Sequence, residues 1–188
     1  MTAAPDPIDV ALLVTGVLDA LGVRHTIGGS IASSIAGEPR STIDIDVIAA
    51  LEERHVRQLV EALQDEFYLD ETALTRAVRA HSTANLIHHA TSTKIDLFVA
   101  GGSPLDTQQI ARRLRVEIGG RVLFVHPPED ILLQKLRWYR RGGEVSDRQW
   151  RDILGIVRVQ GTGLDRTYLT THAPTLGVSD LLERALKS

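Results

Sequence analysis

The stretch that decides the fold runs from Gly28 to Val47 and reads GGSIASSIAGEPRSTIDIDV. It opens with two glycines and a serine, and the small residues Ile31 to Ala36 that follow are typical of a short helix. At its end, Asp44 and Asp46 alternate with apolar residues, which predicts a strand. Because residues two apart on a strand point the same way, both carboxylates are expected on one face, opposite the core.

This combination of residues indicates phosphoryl chemistry. Two neighbouring carboxylates repel each other and favour a hard cation such as Mg²⁺ between them. The helix that begins near Ser30 is expected to present backbone N–H groups and the positive end of its dipole, where a phosphate can bind. The Ser30 hydroxyl can cap that helix, contact the phosphate, or do both.

The spacing of these residues resembles the signature of the nucleotidyltransferase superfamily that includes DNA polymerase β. Thirteen residues separate Gly29-Ser30 from Asp44-Ile45-Asp46-Val47, and the family adds a third acid on a neighbouring strand, which Asp96 in KIDLFV supplies. The resemblance implies transfer of a nucleoside monophosphate from an NTP to a hydroxyl. It also implies a two-metal Mg²⁺ site, with Asp44 and Asp46 on the metal that bridges the triphosphate. Asp96 would share the second metal and assist deprotonation of the hydroxyl.

A narrower resemblance, to the AbiEii-type toxin nucleotidyltransferases of toxin–antitoxin systems, rests on three further segments. Arg40-Ser41-Thr42 precedes the acids, and residues 128–136 and 147–153 look like the lysine and aspartate motifs of that group. By this resemblance Lys135 would contact the nucleotide phosphates and Asp152 would support the site. The acceptor would be the 3′ end of tRNA, and a cognate antitoxin protein is a possible partner.

The resemblances and the local chemistry together define the candidate residues. An arginine at position 40 can hold a triphosphate by a bidentate contact. The expected catalytic residues are Asp44, Asp46, Asp96 and Lys135, the three acids are the expected metal ligands, and the expected nucleotide-binding residues are Gly29, Ser30, Arg40, Thr42, Lys135 and Asp152.

Some of these residues have plainer interpretations. Lys135 stands among leucines on a predicted helix, where a lysine can extend its amine to solvent. Asp152 can pair with Arg148, one helical turn earlier.

Thr42 is expected on the same strand face as Asp44. A phosphate on its hydroxyl would therefore block NTP binding, and Ser30 is a rival modification site.

Composition bounds the remaining possibilities. The chain has 188 residues, 43% of them hydrophobic, with a net charge of -3 and no cysteine, so disulfides and thiolate metal sites are excluded. The seven histidines form no metal motif, and His88-His89 is expected at an exposed strand end. No apolar run reaches membrane-spanning length, so a cytoplasmic protein is predicted. The arginines cluster at residues 112–115 and 137–141, where they can form a local basic patch.

The predicted fold is α/β (α+β), a small mixed β-sheet flanked by helices, followed by a helical C-terminal third. Residues 1–126 are expected to form the nucleotidyltransferase core, and residues 127–188 a helical region packed on it. Helices are expected over residues 8–21, 51–67, 71–80, 105–114, 129–141, 146–159, 165–169 and 179–186. Strands are expected over residues 23–27, 42–50, 85–89, 92–100, 115–118 and 122–125.

Two alternatives to the toxin hypothesis remain open at this stage. One is a small-molecule nucleotidyltransferase, for example one that modifies an aminoglycoside. The other is a catalytically silent protein that keeps the fold as a nucleotide-binding scaffold, against which the presence of all three acids argues.

Overall fold

A computed structural model describes residues 5–38, 44–101 and 104–188. The chain divides into two compact units. The first comprises the described parts of residues 1–30 and 41–125, and the second comprises those of residues 31–40 and 126–188. The division falls just after Ser30, inside a helix. Among the described residues, no helix is both long enough and apolar enough to cross a membrane.

The helices and strands follow the chain in a mixed order. The helices are α1 (Pro7–Ala20), α2 (Gly29–Ala36), α3 (Glu53–Leu63), α4 (Glu71–Ala80), α5 (Pro104–Ala111), α6 (Pro128–Arg141), α7 (Asp147–Gln160), α8 (Arg166–Leu176) and α9 (Ser179–Leu186). The strands are β1 (His25–Ile27), β2 (Asp44–Ala49), β3 (Phe67–Tyr68), β4 (Thr83–His88), β5 (Lys94–Val99), β6 (Leu114–Ile118) and β7 (Arg121–Val125).

All seven strands of the described residues belong to the first unit and form one sheet in the order β3-β4-β5-β2-β1-β7-β6. β2 runs parallel to β5, and β1 runs parallel to β7. The other neighbours are antiparallel. The sheet is therefore mixed, which confirms the fold class predicted from the sequence.

Alternation along β2 and β5 separates a core face from an open face. Ile45 and Val47 on β2, like Ile95 and Leu97 on β5, are fully buried. The alternate residues of the two strands are half-buried or exposed, and they include all three candidate acids. Period-two alternation thus places the apolar side chains in the core and the carboxylates on the opposite face, as the sequence predicts.

The β6–β7 connection is a tight turn of two glycines. Gly119 and Gly120 have φ angles of +57° and +77°. A two-residue hairpin of this kind needs positive φ at both positions, which glycine adopts without steric cost. Arg121, directly after the turn, pairs with Asp6 and Asp9 and so ties β7 to the start of α1.

The second unit contains α6 to α9 around a leucine- and isoleucine-rich core. Leu132, Leu133 and Leu136 of α6 are fully buried, as is Ile153 of α7. The Ser146 hydroxyl accepts a hydrogen bond from the Gln149 backbone N–H in the first turn of α7 and so caps that helix. α8 extends seven residues beyond the predicted end at residue 169, to Leu176.

Three other sequence-based expectations about local structure are wrong. The helix predicted to reach Phe67 ends at Leu63, because Phe67 instead pairs with His88 in the sheet. The helix predicted to reach Leu114 ends at Ala111, and Leu114 begins β6. His88 is buried rather than exposed, and its ring packs against that of Phe67 at a centroid distance of 5.2 Å.

A buried histidine in the second unit makes stability depend on pH. His126 is 4% exposed, and its Nε2 has no hydrogen-bond partner among the described residues. Burial disfavours the charged imidazolium and lowers the pKa of His126 to about 4. Between that value and its ordinary pKa, the unfolded chain binds the proton and the folded chain does not, so stability falls as the pH falls.

We expect the free energy of unfolding to drop by about 2 kcal/mol between pH 7 and pH 5 through this group alone. Urea unfolding of the wild type and of His126→Gln at both pH values measures the effect. The glutamine variant should lose that part of the pH dependence, whereas the exposed control His89→Gln should keep it. An unchanged pH dependence in His126→Gln would show that this histidine does not titrate on unfolding.

Candidate active site

The three acids come together through strand register on the open face of the first unit. Asp46 on β2 lies directly opposite Asp96 on β5, and Asp44 lies opposite Lys94. Neighbouring strands are separated by about 4.8 Å, so the Asp46 and Asp96 carboxylates belong to one small area of the sheet. The residue pattern alone indicates that each acid lies on an open face, and the register shows that Asp46 and Asp96 are neighbours.

The turn before α2 brings backbone directly against Asp46. The Gly28 N–H donates a hydrogen bond to the Asp46 carbonyl, 2.9 Å away. Gly29 has a φ of +53°, and a Cβ built on it would lie 1.6 Å from Oδ2 of Asp46. No other residue type fits there, because a side chain would both strain the backbone and overlap the carboxylate. Ser30, the next residue, lies in the first turn of α2 and is half-buried.

The carboxylate oxygens of the three acids suit a hard divalent cation, although these side chains do not point at one common position. The donors are oxygens, which Mg²⁺ and Ca²⁺ prefer, and Gly29 keeps side-chain atoms away from the Asp46 carboxylate. In the described parts of the chain, no group of three acidic, histidine or cysteine side chains is placed to hold a metal ion as it stands. The backbone positions therefore fit a metal site, while the side chains adopt another arrangement.

Lys94 lies directly against one of these acids. Its Nζ lies 2.7 Å from Oδ1 and 3.0 Å from Oδ2 of Asp96, so both carboxylate oxygens accept from one ammonium group. The hydrogen bond to Asp96 is the main cause that raises the pKa of Lys94, and the charges of Asp44 and Asp46 act in the same direction. No role for Lys94 was predicted from the sequence. Its position two residues before Asp96, on the same strand face, was the available signal.

Lys135 and Asp152 form an ion pair within the second unit. The Lys135 Nζ lies 2.7 Å from Oδ2 of Asp152, and the two side chains are 11% and 10% exposed. Lys135 therefore does not extend freely to solvent, and Asp152 has a partner other than Arg148. The pairing is compatible with Asp152 supporting Lys135, and the nucleotide contacts of both residues stay predictions.

Two of the predicted nucleotide-binding residues, Arg40 and Thr42, lie outside the described residues, as does Ser41. Their expected roles, and the proposed effect of a phosphate on Thr42, stay predictions.

Part of the arginine content serves internal contacts. Arg113 donates to the His25 carbonyl at 2.7 Å and lies over the Phe124 ring, with its guanidinium carbon 3.9 Å from the centroid. In the second unit, Arg140 pairs with Asp180 at 2.6 Å. These two arginines therefore have structural roles in the described fold.

The open face continues from the acids to the edge of the sheet. In one row across the strands, Asp44 and Lys94 are followed by Ile87 on β4 and Tyr68 on β3. In the next row, Asp46 and Asp96 are followed by Asn85. Ile87 and Tyr68 are 42% and 61% exposed, so an uncharged surface begins beyond Lys94 and Asp96, on the side away from Gly29.

Comparison with known proteins identifies the fold. No protein-family model and no curated protein matches the sequence. Among solved structures, the antibiotic-resistance factor ANT(2'')-Ia matches with a TM-score of 0.56 and 16% identity, over 96% of this chain and 97% of that one. An antigenic nucleotidyltransferase-like protein from Paracoccidioides brasiliensis matches with 0.55 and 19%, over 94% and 91%. The chain has a nucleotidyltransferase fold.

A third match has the same fold. The lincosamide antibiotic adenylyltransferase LnuA, in its lincomycin-bound structure, matches with a TM-score of 0.53 and 11% identity, over 79% of this chain and 95% of that one. The superfamily resemblance inferred from the sequence is thus supported at the level of the nucleotidyltransferase fold. The AbiEii-type assignment stays a prediction.

Proposed function

We propose that this protein transfers a nucleoside monophosphate from an NTP to a hydroxyl group and releases pyrophosphate. The observation that carries the proposal is the contact between Gly29 and Asp46. It joins the start of α2, which can bind phosphate, to a carboxylate that has a second carboxylate, Asp96, as its cross-strand neighbour. The nucleotidyltransferase fold supports the same reaction.

Each residue of the site has a separate task in this proposal. Asp44, Asp46 and Asp96 would hold divalent cations, Mg²⁺ in our proposal. When bound, the ions would neutralise the triphosphate and lower the pKa of the attacking hydroxyl. The backbone at Gly29 and Ser30 would orient the phosphates on the β1 side of Asp46.

In this proposal, the sheet order supports an assignment of opposite sides to the acceptor and the leaving pyrophosphate. β5 lies on the side of β2 opposite to β1, so Asp96 lies beyond Asp46 from the β1 strand that leads into the Gly29 turn. An in-line displacement needs the attacking oxygen and the leaving pyrophosphate on opposite sides of the α-phosphorus. The acceptor hydroxyl would therefore approach from the Asp96 side and give its proton to that carboxylate or to solvent. A new P–O bond would form as the bond to pyrophosphate breaks.

For the acceptor, we propose a small hydroxylated molecule. Lys94, the cation next to Asp96, is paired with that carboxylate, and beyond these two residues the surface carries Asn85, Ile87 and Tyr68, none of which is basic. An RNA-binding surface needs cations for its phosphates. The similar structures support this choice, since LnuA is a lincosamide antibiotic adenylyltransferase with lincomycin bound. ANT(2'')-Ia is also known in complex with adenylyl-2''-tobramycin.

The second candidate is a toxin that modifies the 3′ end of tRNA and is controlled by an antitoxin. The residues that favour it are Arg40 and Thr42 before the acids, together with the Lys135–Asp152 pair, which joins the two C-terminal motifs of the resemblance. The internal contacts of Arg113 and Arg140 reduce the number of arginines available for RNA. We therefore place this candidate second.

One experiment separates the two candidates. The full chain is incubated with Mg²⁺ and each α-labelled NTP, in one arm with total tRNA and in the other with hydroxylated small molecules that include lincomycin and tobramycin. We expect pyrophosphate release and a nucleotide-mass increase in the small-molecule arm, with no product from Asp46→Asn. Labelled tRNA would establish the second candidate instead. NTP binding without product in either arm would leave the protein a silent scaffold and contradict the proposed reaction.

A further inference from the structure

Lys94 lies among the three acids on the open face of the sheet. Lys94 and Asp96 lie two residues apart on β5 and point to the same face, and Asp44 lies directly across on β2. The ammonium group bonds both oxygens of the Asp96 carboxylate, at 2.7 and 3.0 Å. A single cation thus covers the carboxylate oxygens that a metal ligand must present.

The charges around Lys94 make this contact favourable in the absence of metal. Three carboxylates share one face of β2 and β5, and their mutual repulsion is relieved by any nearby cation. Lys94 is partly exposed, at 44%, whereas the Asp96 side chain is 20% exposed. The lysine can therefore leave for solvent at little cost, while the carboxylate stays in place.

We infer that Lys94 is a built-in counter-cation that competes with the divalent metal for Asp96, so that the metal site closes only when the lysine leaves. The inference rests on the proposed function, because it requires Asp46 and Asp96 to be metal ligands. It explains why the acids have the backbone register of a metal site although no three side chains of the described residues are placed to hold an ion. Lys94 is in this sense a positioning residue that acts through Asp96.

The inference predicts the sign of a change in metal affinity. Replacing Lys94 with methionine keeps the length of the side chain and removes the competing charge. Divalent metal should then bind more tightly, by about fivefold for an ion pair of this exposure. A lysine that merely stabilised the sheet would not give this result, since its loss would leave metal affinity unchanged or weaken it.

The test is titration of the nucleotide-free protein with Mn²⁺. Binding is measured by calorimetry or from the electron paramagnetic resonance signal of the free ion. The titration compares the wild type with Lys94→Met, Lys94→Arg and Lys187→Met. The arginine variant keeps a competing cation and should bind no more tightly than the wild type. Lys187 forms an exposed ion pair with Glu183 in the second unit, so its loss should leave Mn²⁺ affinity unchanged. Melting temperatures of all four proteins check that the fold is retained.

Two kinds of outcome would overturn the inference, and they differ in what else they affect. In the first kind, folded Lys94→Met binds Mn²⁺ no more tightly than the wild type, while Asp46→Asn loses Mn²⁺ binding. This result would overturn the role of Lys94 alone. Mn²⁺ binding that does not depend on Asp46, or no binding by either the wild type or Lys94→Met, would overturn the metal site as well. The second kind would count against the proposed function.

Discussion

Asp46→Asn is expected to lose nucleotidyl transfer by on the order of a thousandfold, because several kcal/mol of transition-state stabilisation depend on the metal ligands. Asparagine has the shape of aspartate, so the strand and the contact with Gly29 are retained. What is lost is one negative charge between the α2 turn and Asp96. The fold should not weaken, since removing one of three neighbouring carboxylates relieves repulsion.

The measurement is kcat/KM with saturating Mg²⁺, beside the urea midpoint of the same samples. Asp65→Asn is the matched control, because it makes the same chemical change at an exposed position outside the sheet. It should transfer nucleotide at the wild-type rate. A folded Asp46→Asn variant with wild-type kcat/KM would remove Asp46 from the reaction and with it the proposed metal site.

The faces of β2 and β5 were predictable because the signal is local and strong. When an acid stands between two apolar residues on a strand, burial of the apolar side chains on one face places the carboxylate on the other, open face. That Asp46 faces Asp96, and not a residue two positions away, depends on the pairing of strands about 50 residues apart in sequence. The family resemblance indicated this pairing, whereas the pattern of the residues themselves did not.

The errors in the sequence analysis arise from contacts between distant segments. Phe67 continues the apolar pattern of α3, yet it joins the sheet because it can pair and pack with His88, which is 21 positions later. The same contact buries His88, which looks like an exposed strand end when its own neighbours alone are considered. Helix propensity is a weak preference, and a sheet partner of this kind overrides it.

The role of Lys94 was missed for a different reason. Its strand face follows from its spacing to Asp96, but a lysine on an exposed strand face usually needs no explanation. Only the distances from its ammonium group to the two Asp96 oxygens distinguish it from an ordinary surface cation. Likewise, Ile87 and Tyr68 lie on the same face as the acids because of the register of three strand pairs, β2–β5, β5–β4 and β4–β3. That register cannot be derived from the local sequence pattern.

Gly29→Ala is expected to lower nucleotidyl transfer by about a hundredfold while the protein still folds, because displacement of a catalytic group by about 1 Å has effects of this size. The added Cβ would lie 1.6 Å from Oδ2 and 2.4 Å from Cγ of Asp46, so the carboxylate must turn away from the start of α2. The substitution also puts a side chain at a φ of +53°, which costs about 1–2 kcal/mol of stability.

Gly22→Ala separates these two effects. Gly22 has a φ of +70°, and a Cβ built on it meets nothing within 4 Å. The variant should therefore lose a similar amount of stability and keep its activity. Urea midpoints and kcat/KM of both variants, with the Mn²⁺ affinity of Gly29→Ala, measure the difference. Because the clash acts on Asp46, Gly29→Ala should also bind Mn²⁺ more weakly than Gly22→Ala. If both variants transferred nucleotide equally well, the approach of Gly29 to Asp46 would be a feature of packing alone and could not carry the proposed function.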